Sequence, residues 1–164
     1  MNIFYTDHDP TTAAAALPDK HIVKMPVETV QMLVSALRRY DIDYTVTTKT
    51  GTNHKGGYAN HPSTVWAGDN QANATWLWEH GVALCAEYTE RYGKVHFAEG
   101  QLRTLQTWVL DLPDGKLTSP ALAMPDECKT SDPVESYRNC IRAKVAAKPE
   151  SFIWAKGTPA PAWL

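Results

Sequence analysis

The chain has 164 residues, 43% of them hydrophobic and 21% charged, and a net charge of -2. That length and apolar content suit one domain with a sizeable core and argue against disorder. The charge balance argues against a generic polyanion binder, which carries a marked basic excess, and no stretch approaches the ~20 apolar residues needed to span a bilayer.

The charge is nonetheless uneven. Residues 1–128 hold ten Lys/Arg against fifteen Asp/Glu, whereas residues 129–164 hold six against three, so the C-terminal part is mildly basic and suited to meeting phosphate. Cys85, Cys128 and Cys140 are an odd count at no framework spacing, which reads as reduced thiols in a cytosolic protein. The N-terminus, Met1-Asn2-Ile3-Phe4-Tyr5, lacks a basic region followed by an apolar run, so no secretory leader is expected. Six Trp and seven Tyr serve either as core or as stacking surface for planar ligands such as bases.

Taken in chain order, residues 1–8 read as a short strand or an extended arm. A helix is expected from Asp9-Pro10-Thr11-Thr12, a cap followed by a first-turn proline, through the alanines toward Leu17-Pro18. A second, amphipathic segment spans about Asp19 to Tyr40, with Val23, Val27, Val30, Leu33, Val34 and Leu37 at helical spacing. Pro26 lies within it; either the helix kinks there or a new helix starts. Residues 41–62, rich in Thr, Gly, Asn and Lys, form a loop. A long helical region follows from about Ser63 to Tyr92, weak at Gly68 and Gly81 and stopped by Gly93. Another helix covers about 97–111, a second loop covers 113–131, and Asp132-Pro133-Val134-Glu135 starts a last helix that runs to about Ala147. The tail, with Pro149, Gly157, Pro159 and Pro161, cannot be one helix. The expected fold is therefore all-α, a compact single helical domain over 1–164 with two long loops and an irregular C-terminal tail.

Five constellations could carry chemistry. On a helix, His21, Lys24 and Glu28 fall within roughly 60° of one another around the axis. Acid, amine and imidazole on one edge suit general acid–base or amine chemistry; a solvated face with a Lys24–Glu28 pair is the plainer account. Asn60 and His61 precede Pro62 and the long helix, placed to orient a ligand or to cap. Trp66, Asn70 and Asn73 with Arg91 mark that helix as polar and aromatic, and Glu87 with Arg91 reads by default as a surface pair. The loop Ser119 to Lys129 either covers a site or connects. Arg138 and Arg142, with Lys144 and Lys148 nearby, share a face fit either to grip phosphate or to be solvated. The six histidines show no ligand spacing and no Cys-x-x-Cys exists, so neither metal nor cofactor is expected.

The run Asp19-Lys20-His21-Ile22-Val23-Lys24-Met25-Pro26-Val27-Glu28, with Asn60-His61-Pro62, Arg91-Tyr92-Gly93-Lys94-Val95-His96 and Ala123-Met124-Pro125-Asp126-Glu127, resembles a family of bacteriophage proteins of similar length, which brings no function with it. More distantly, His21 to Glu28, Asn60-His61-Pro62 and a long helix ending near Arg91-Tyr92-Gly93 resemble the pyrimidine-dimer DNA glycosylases of the endonuclease V type. Those are small all-α proteins that cleave an N-glycosidic bond and nick the strand, using an N-terminal amine and a helix glutamate. The resemblance implies Glu28 as catalytic carboxylate, His21 as a substrate-facing residue and DNA or a nucleotide as substrate. Where the family places arginines beside and after its glutamate, this chain has Val27 and Gln31, and Lys24 is an alternative amine to the N-terminus. The aromatic walls of such a site are expected from Trp66 or Trp76, and its phosphate contacts from Arg138 or Arg142. The other reading is a non-catalytic phage counter-defence module that captures a nucleotide or a host protein. Under either, the expected setting is the host cytoplasm.

Overall fold

The structure, a computed structural model, describes residues 1–164 as six α-helices and no strand. Four of the six helices start at a residue whose side chain accepts from a free N–H of the first turn. Asp9 caps α1 (Pro10–Ala15), accepting from Thr12 N at 2.7 Å. Asn70 caps α4 (Gln71–Tyr92), accepting from Asn73 N at 3.0 Å. Asp132 caps α6 (Pro133–Ala147), accepting from Val134 N at 2.9 Å. The remaining helices are α2 (Asp19–Arg39), α3 (Pro62–Gly68) and α5 (Ala98–Val109).

The region expected as one helix from Ser63 to Tyr92 is two. Asn70 is fully extended (φ -162°, ψ 167°) and ends any continuation from α3. Its side chain supplies the cap that a new helix needs, so the break is stabilised locally. The arm at residues 1–8 pairs with no strand; it is buried instead, with Ile3, Phe4 and Tyr5 in the core. Pro26 does not divide α2, which continues through it for 21 residues. An interior proline removes one backbone bond and costs about 3 kcal/mol in an isolated helix. Here the helix is held by its burial, because α2 packs against α3, α4 and α5 at once.

That central position also redraws the amphipathic pattern. Val23 is 43% exposed, whereas His21 and Glu28, expected on a polar edge, are 6% and 7% exposed. Gly81, expected as a weak point of α4, is a contact point: a Cβ there would lie 2.6 Å from Thr29 Cγ2 and 3.2 Å from both Leu102 methyls. Its missing side chain lets α4 seat between α2 and α5. The two long loops, 40–61 and 110–132, and the irregular tail from 148 stand as expected. One hydrophobic cluster runs from Ile3 to Ile141, joining the arm to α6. No helix is long and apolar enough to cross a membrane.

Candidate active site

The N-terminal arm determines where the first amine goes. Asn2 Oδ1 accepts from the backbone N–H groups of Ile3 (2.8 Å) and Phe4 (3.0 Å), closing a tight local turn. Phe4 sits in the left-handed region at φ 45°, a conformation that costs a non-glycine residue on the order of 1 kcal/mol. Its burial between the arm and α2 holds it there: its ring stacks on His21 at 4.3 Å and 22°. The turn points Met1 back at α2.

Glu28 receives it. Oε2 lies 3.6 Å from the Met1 α-amino nitrogen and accepts from Asn2 N–H at 3.1 Å, while Oε1 takes Lys24 Nζ at 2.8 Å. Removal of Met1 would leave the new α-amine on Asn2 beside the same oxygen. The carboxylate and the Met1 side chain are almost wholly buried, whereas the Lys24 side chain is 66% exposed, so Lys24 is a solvated cation. His21 lies one turn-pair earlier on α2. Burial, and then the positive charges of Lys144, Lys20 and Lys24, hold its pKa down to about 3, so it is a neutral imidazole. Its Nδ1 is buried with no hydrogen-bond partner. Phe152 stands edge-on to it at 5.5 Å.

These groups line a cavity of about 260 Å³: Met1, Phe4, His21, Lys24 and Glu28, closed by Lys20, Lys144 and Phe152. A second, larger cleft of about 740 Å³ lies farther along α2, lined by Arg38, Arg39, Lys55 and Tyr58 among others. The smaller one holds the Met1 α-amine and the Glu28 carboxylate. No three His, Cys, Asp or Glu side chains converge anywhere as a metal-ligand set.

The structure thus brings together His21, Lys24 and Glu28. His61 caps α3, its Nδ1 accepting from Ser63 N at 3.2 Å. Burial and the Met1 ammonium lower its pKa and Glu28 opposes them, which places His61 within range of both charges. Asn60 lines the larger cleft. The other expected substrate contacts lie elsewhere. Trp66 and Trp76 do not wall the small cavity; they are core, donating to Thr118 O (3.3 Å) and His8 O (2.7 Å). Asn70 is a cap, and Asn73 ties α4 to the 113–131 loop through Thr118 and to α3 through Trp66 O. Arg91 is no surface residue: its side chain is wholly buried, binding Ala15 O, Leu17 O, Asp19 and Glu87. Arg138 grips Thr6 O and Asp7, and Arg142 grips Trp163 O, Glu135 and Asn139. Both guanidiniums are spent on clamping the arm and the tail.

Lys20 lies in the run Asp19 to Glu28 and Lys144 near Arg138 and Arg142, but nothing in the sequence assigns either to the site. Phe4 and Phe152 carried no signal, because their roles arise from the arm and the tail folding onto α2.

The structure places a glutamate of the first long helix within reach of the chain's own α-amine. The sequence model of the pyrimidine dimer DNA glycosylases matches residues 1–99. The chain belongs to this family. The matched part carries Met1, His21, Lys24 and Glu28; Lys144 and Phe152 lie beyond it. No curated protein and no solved structure matches the sequence.

Proposed function

We propose that this member of the pyrimidine dimer DNA glycosylase family is a DNA N-glycosylase acting on a damaged or modified base, with an associated strand-nicking step. The observation that carries the reading is the Met1 α-amine at 3.6 Å from a buried Glu28. Free α-amines are ordinarily about two to three pH units more acidic than lysine ammoniums, so more of an α-amine is nucleophilic at neutral pH. The α-nitrogen attacks C1′ of the target nucleotide, forming an N–C1′ bond as the bond from C1′ to the base breaks. The base leaves with the electron pair and takes up a proton, and the proton lost by the amine goes to Glu28. The C1′–O4′ bond breaks with its electron pair going to O4′, which takes the proton back from Glu28, and the ring-opened sugar is left as a protonated imine. The freed Glu28 carboxylate takes a C2′ proton, and the C3′–O3′ bond breaks, the phosphate leaving with its electrons. Glu28, held in a partly dry cavity, also faces the positive charge that develops on the sugar. The cavity volume admits one sugar or base unit of a strand lying across its mouth.

The test is a panel of duplexes carrying pyrimidine dimers and other damaged or modified bases, with borohydride to trap an imine. Base release with a trapped adduct on Met1 is expected, and Glu28→Gln should slow release by about 10²–10⁴-fold. An adduct on Lys24 would reassign the nucleophile. Tight retention of a nucleotide with no release from any substrate would make the protein a binding module.

A further inference from the structure

The turn that joins α4 to α5 rests on His96. This ring is buried; Nε2 donates to Val23 O at 3.1 Å and Nδ1 accepts from Ala98 N at 3.1 Å, so both nitrogens are used and one tautomer is selected. Tyr88 stands edge-on to it at 4.8 Å. On this pedestal Val95 and Phe97, and Val23 of α2, stay at the surface, 71%, 44% and 43% exposed. Single exposed apolar side chains are ordinary; three gathered on one rigid support make a contact surface.

Phe97 has one face filled. It stacks on His96 at 5.1 Å and 25°. That leaves the other face to an ammonium: Lys49 Nζ lies 3.9 Å from the ring centroid. Lys49 is exposed, and Gln101 holds its loop by donating to Thr47 O at 2.8 Å. A cation over an exposed ring is worth about two- to fivefold in an equilibrium constant and a stacked base about 5- to 150-fold, so a base displaces the ammonium. The surface adjoins the cavity. Val23 precedes Lys24, whose ammonium meets Glu28, and the five residues of α2 from Val23 to Glu28 rise about 7.5 Å. A strand stacked at about 3.4 Å per base covers that in about two steps.

Base contacts also have more to carry here than phosphate contacts. The net charge is -2, and Arg39, Arg91, Arg103, Arg138 and Arg142 each hold a carboxylate of the chain itself. A base inside a paired duplex has both faces covered by its neighbours, so only an unpaired base can lie on a ring.

We propose that Phe97, flanked by Val23 and Val95, is a stacking platform for an unpaired base beside the target nucleotide, and that the preferred substrate is therefore single-stranded or locally opened DNA. The proposal rests on the reading that DNA is the substrate.

The test is binding, read by fluorescence anisotropy, of a labelled single strand carrying one tetrahydrofuran abasic analogue, and of the same strand in a fully paired duplex. The wild type should favour the single strand by about fivefold or more. Phe97→Ala should weaken single-strand binding by about 5- to 150-fold and duplex binding by less than about twofold, and Phe97→Trp should retain it. The Phe97→Ala loss should persist in a Lys49→Gln background, because the ring face and not the ammonium makes the contact. A second set of strands removes one base at a time on either side of the analogue. One such removal should cost the wild type about as much as Phe97→Ala does, and should cost Phe97→Ala almost nothing more. The base-removal arm uses the wild-type protein, so it decides the matter even where the variant loses stability. Duplex binding as tight as single-strand binding, or losses that add in full, would overturn the platform. None of these readouts needs turnover. Absent base release with the stacking signature present would sink the glycosylase reading and leave the platform standing; base release from paired duplexes with no single-strand preference would do the reverse.

Discussion

Arg91→Met should be among the most damaging single substitutions in this chain outside the apolar core. The guanidinium has no exposure, and Nη1 donates to Leu17 O (2.8 Å) and Asp19 Oδ1 (3.1 Å). Nη2 donates to Ala15 O (2.9 Å), and Nη2 and Nε both reach Glu87 Oε2, at 2.9 and 3.0 Å. Removing it strands two carbonyls at the end of α1 and leaves Asp19, 6% exposed, without its cation. Breaking a buried pair from one side costs about 3–5 kcal/mol because the remaining charge stays desolvated. For a domain of this size each kcal/mol shifts the melting midpoint by about 2–4 °C, so a fall of roughly 6–20 °C is expected. Urea unfolding followed by Trp fluorescence measures the loss directly. Arg91→Lys should recover only part of it, because one ammonium cannot span four acceptors. Below the midpoint the folded variant should bind DNA with an unchanged salt slope. A loss under about 1 kcal/mol, or a slope that drops with stability intact, would refute the structural role and return Arg91 to the ligand.

Two further expectations concern stability. His21 and His80 both have pKa values lowered to about 3, chiefly by burial, against about 6.5 in the unfolded chain. The unfolded state therefore binds more protons between those values: the stability is fully present above pH 6.5 and falls as pH drops from there toward 3, by on the order of 2 kcal/mol per histidine at about pH 5. His80 stacks on Trp76 at 5.1 Å with neither ring nitrogen partnered, so in paired urea titrations His80→Phe should stabilise the protein, and more at pH 5 than at pH 7.5; equal effects at both would contradict the buried neutral state. Gly81→Ala should destabilise by about 1–3 kcal/mol despite alanine's higher helix propensity, because its Cβ meets Thr29 at 2.6 Å; a rise in melting midpoint would show that α4 and α2 can separate without loss.

Several features were legible because their causes are local. Asp9-Pro10 and Asp132-Pro133 start helices through contacts within three residues, and Gly93 stops α4 by adopting φ 64° in place. The spacing of His21, Lys24 and Glu28 on one helix edge was equally readable, since helical geometry alone sets it. Asn70 illustrates the limit: an asparagine inside a helical pattern is compatible with continuation, and packing of the 113–131 loop against it adds to its own cap in favouring the extended break. Arg91 and Glu87 look like a surface pair until α1 and the start of α2 cover them. Arg138 and Arg142 look like phosphate ligands until the arm and the tail occupy them.

The order of residues by itself determined an all-α chain, most of its helix ends, and a carboxylate, an amine and an imidazole on one edge of α2. Those follow from hydrogen bonds and periodicity over a few residues. Tertiary structure decided that His21 and Glu28 on this edge are buried while Lys24 stays exposed, that the Met1 amine turns back onto Glu28 and that Lys144 and Phe152 arrive from the far end of the chain. Burial and charge balance depend on which distant segments pack together, and no local pattern encodes that.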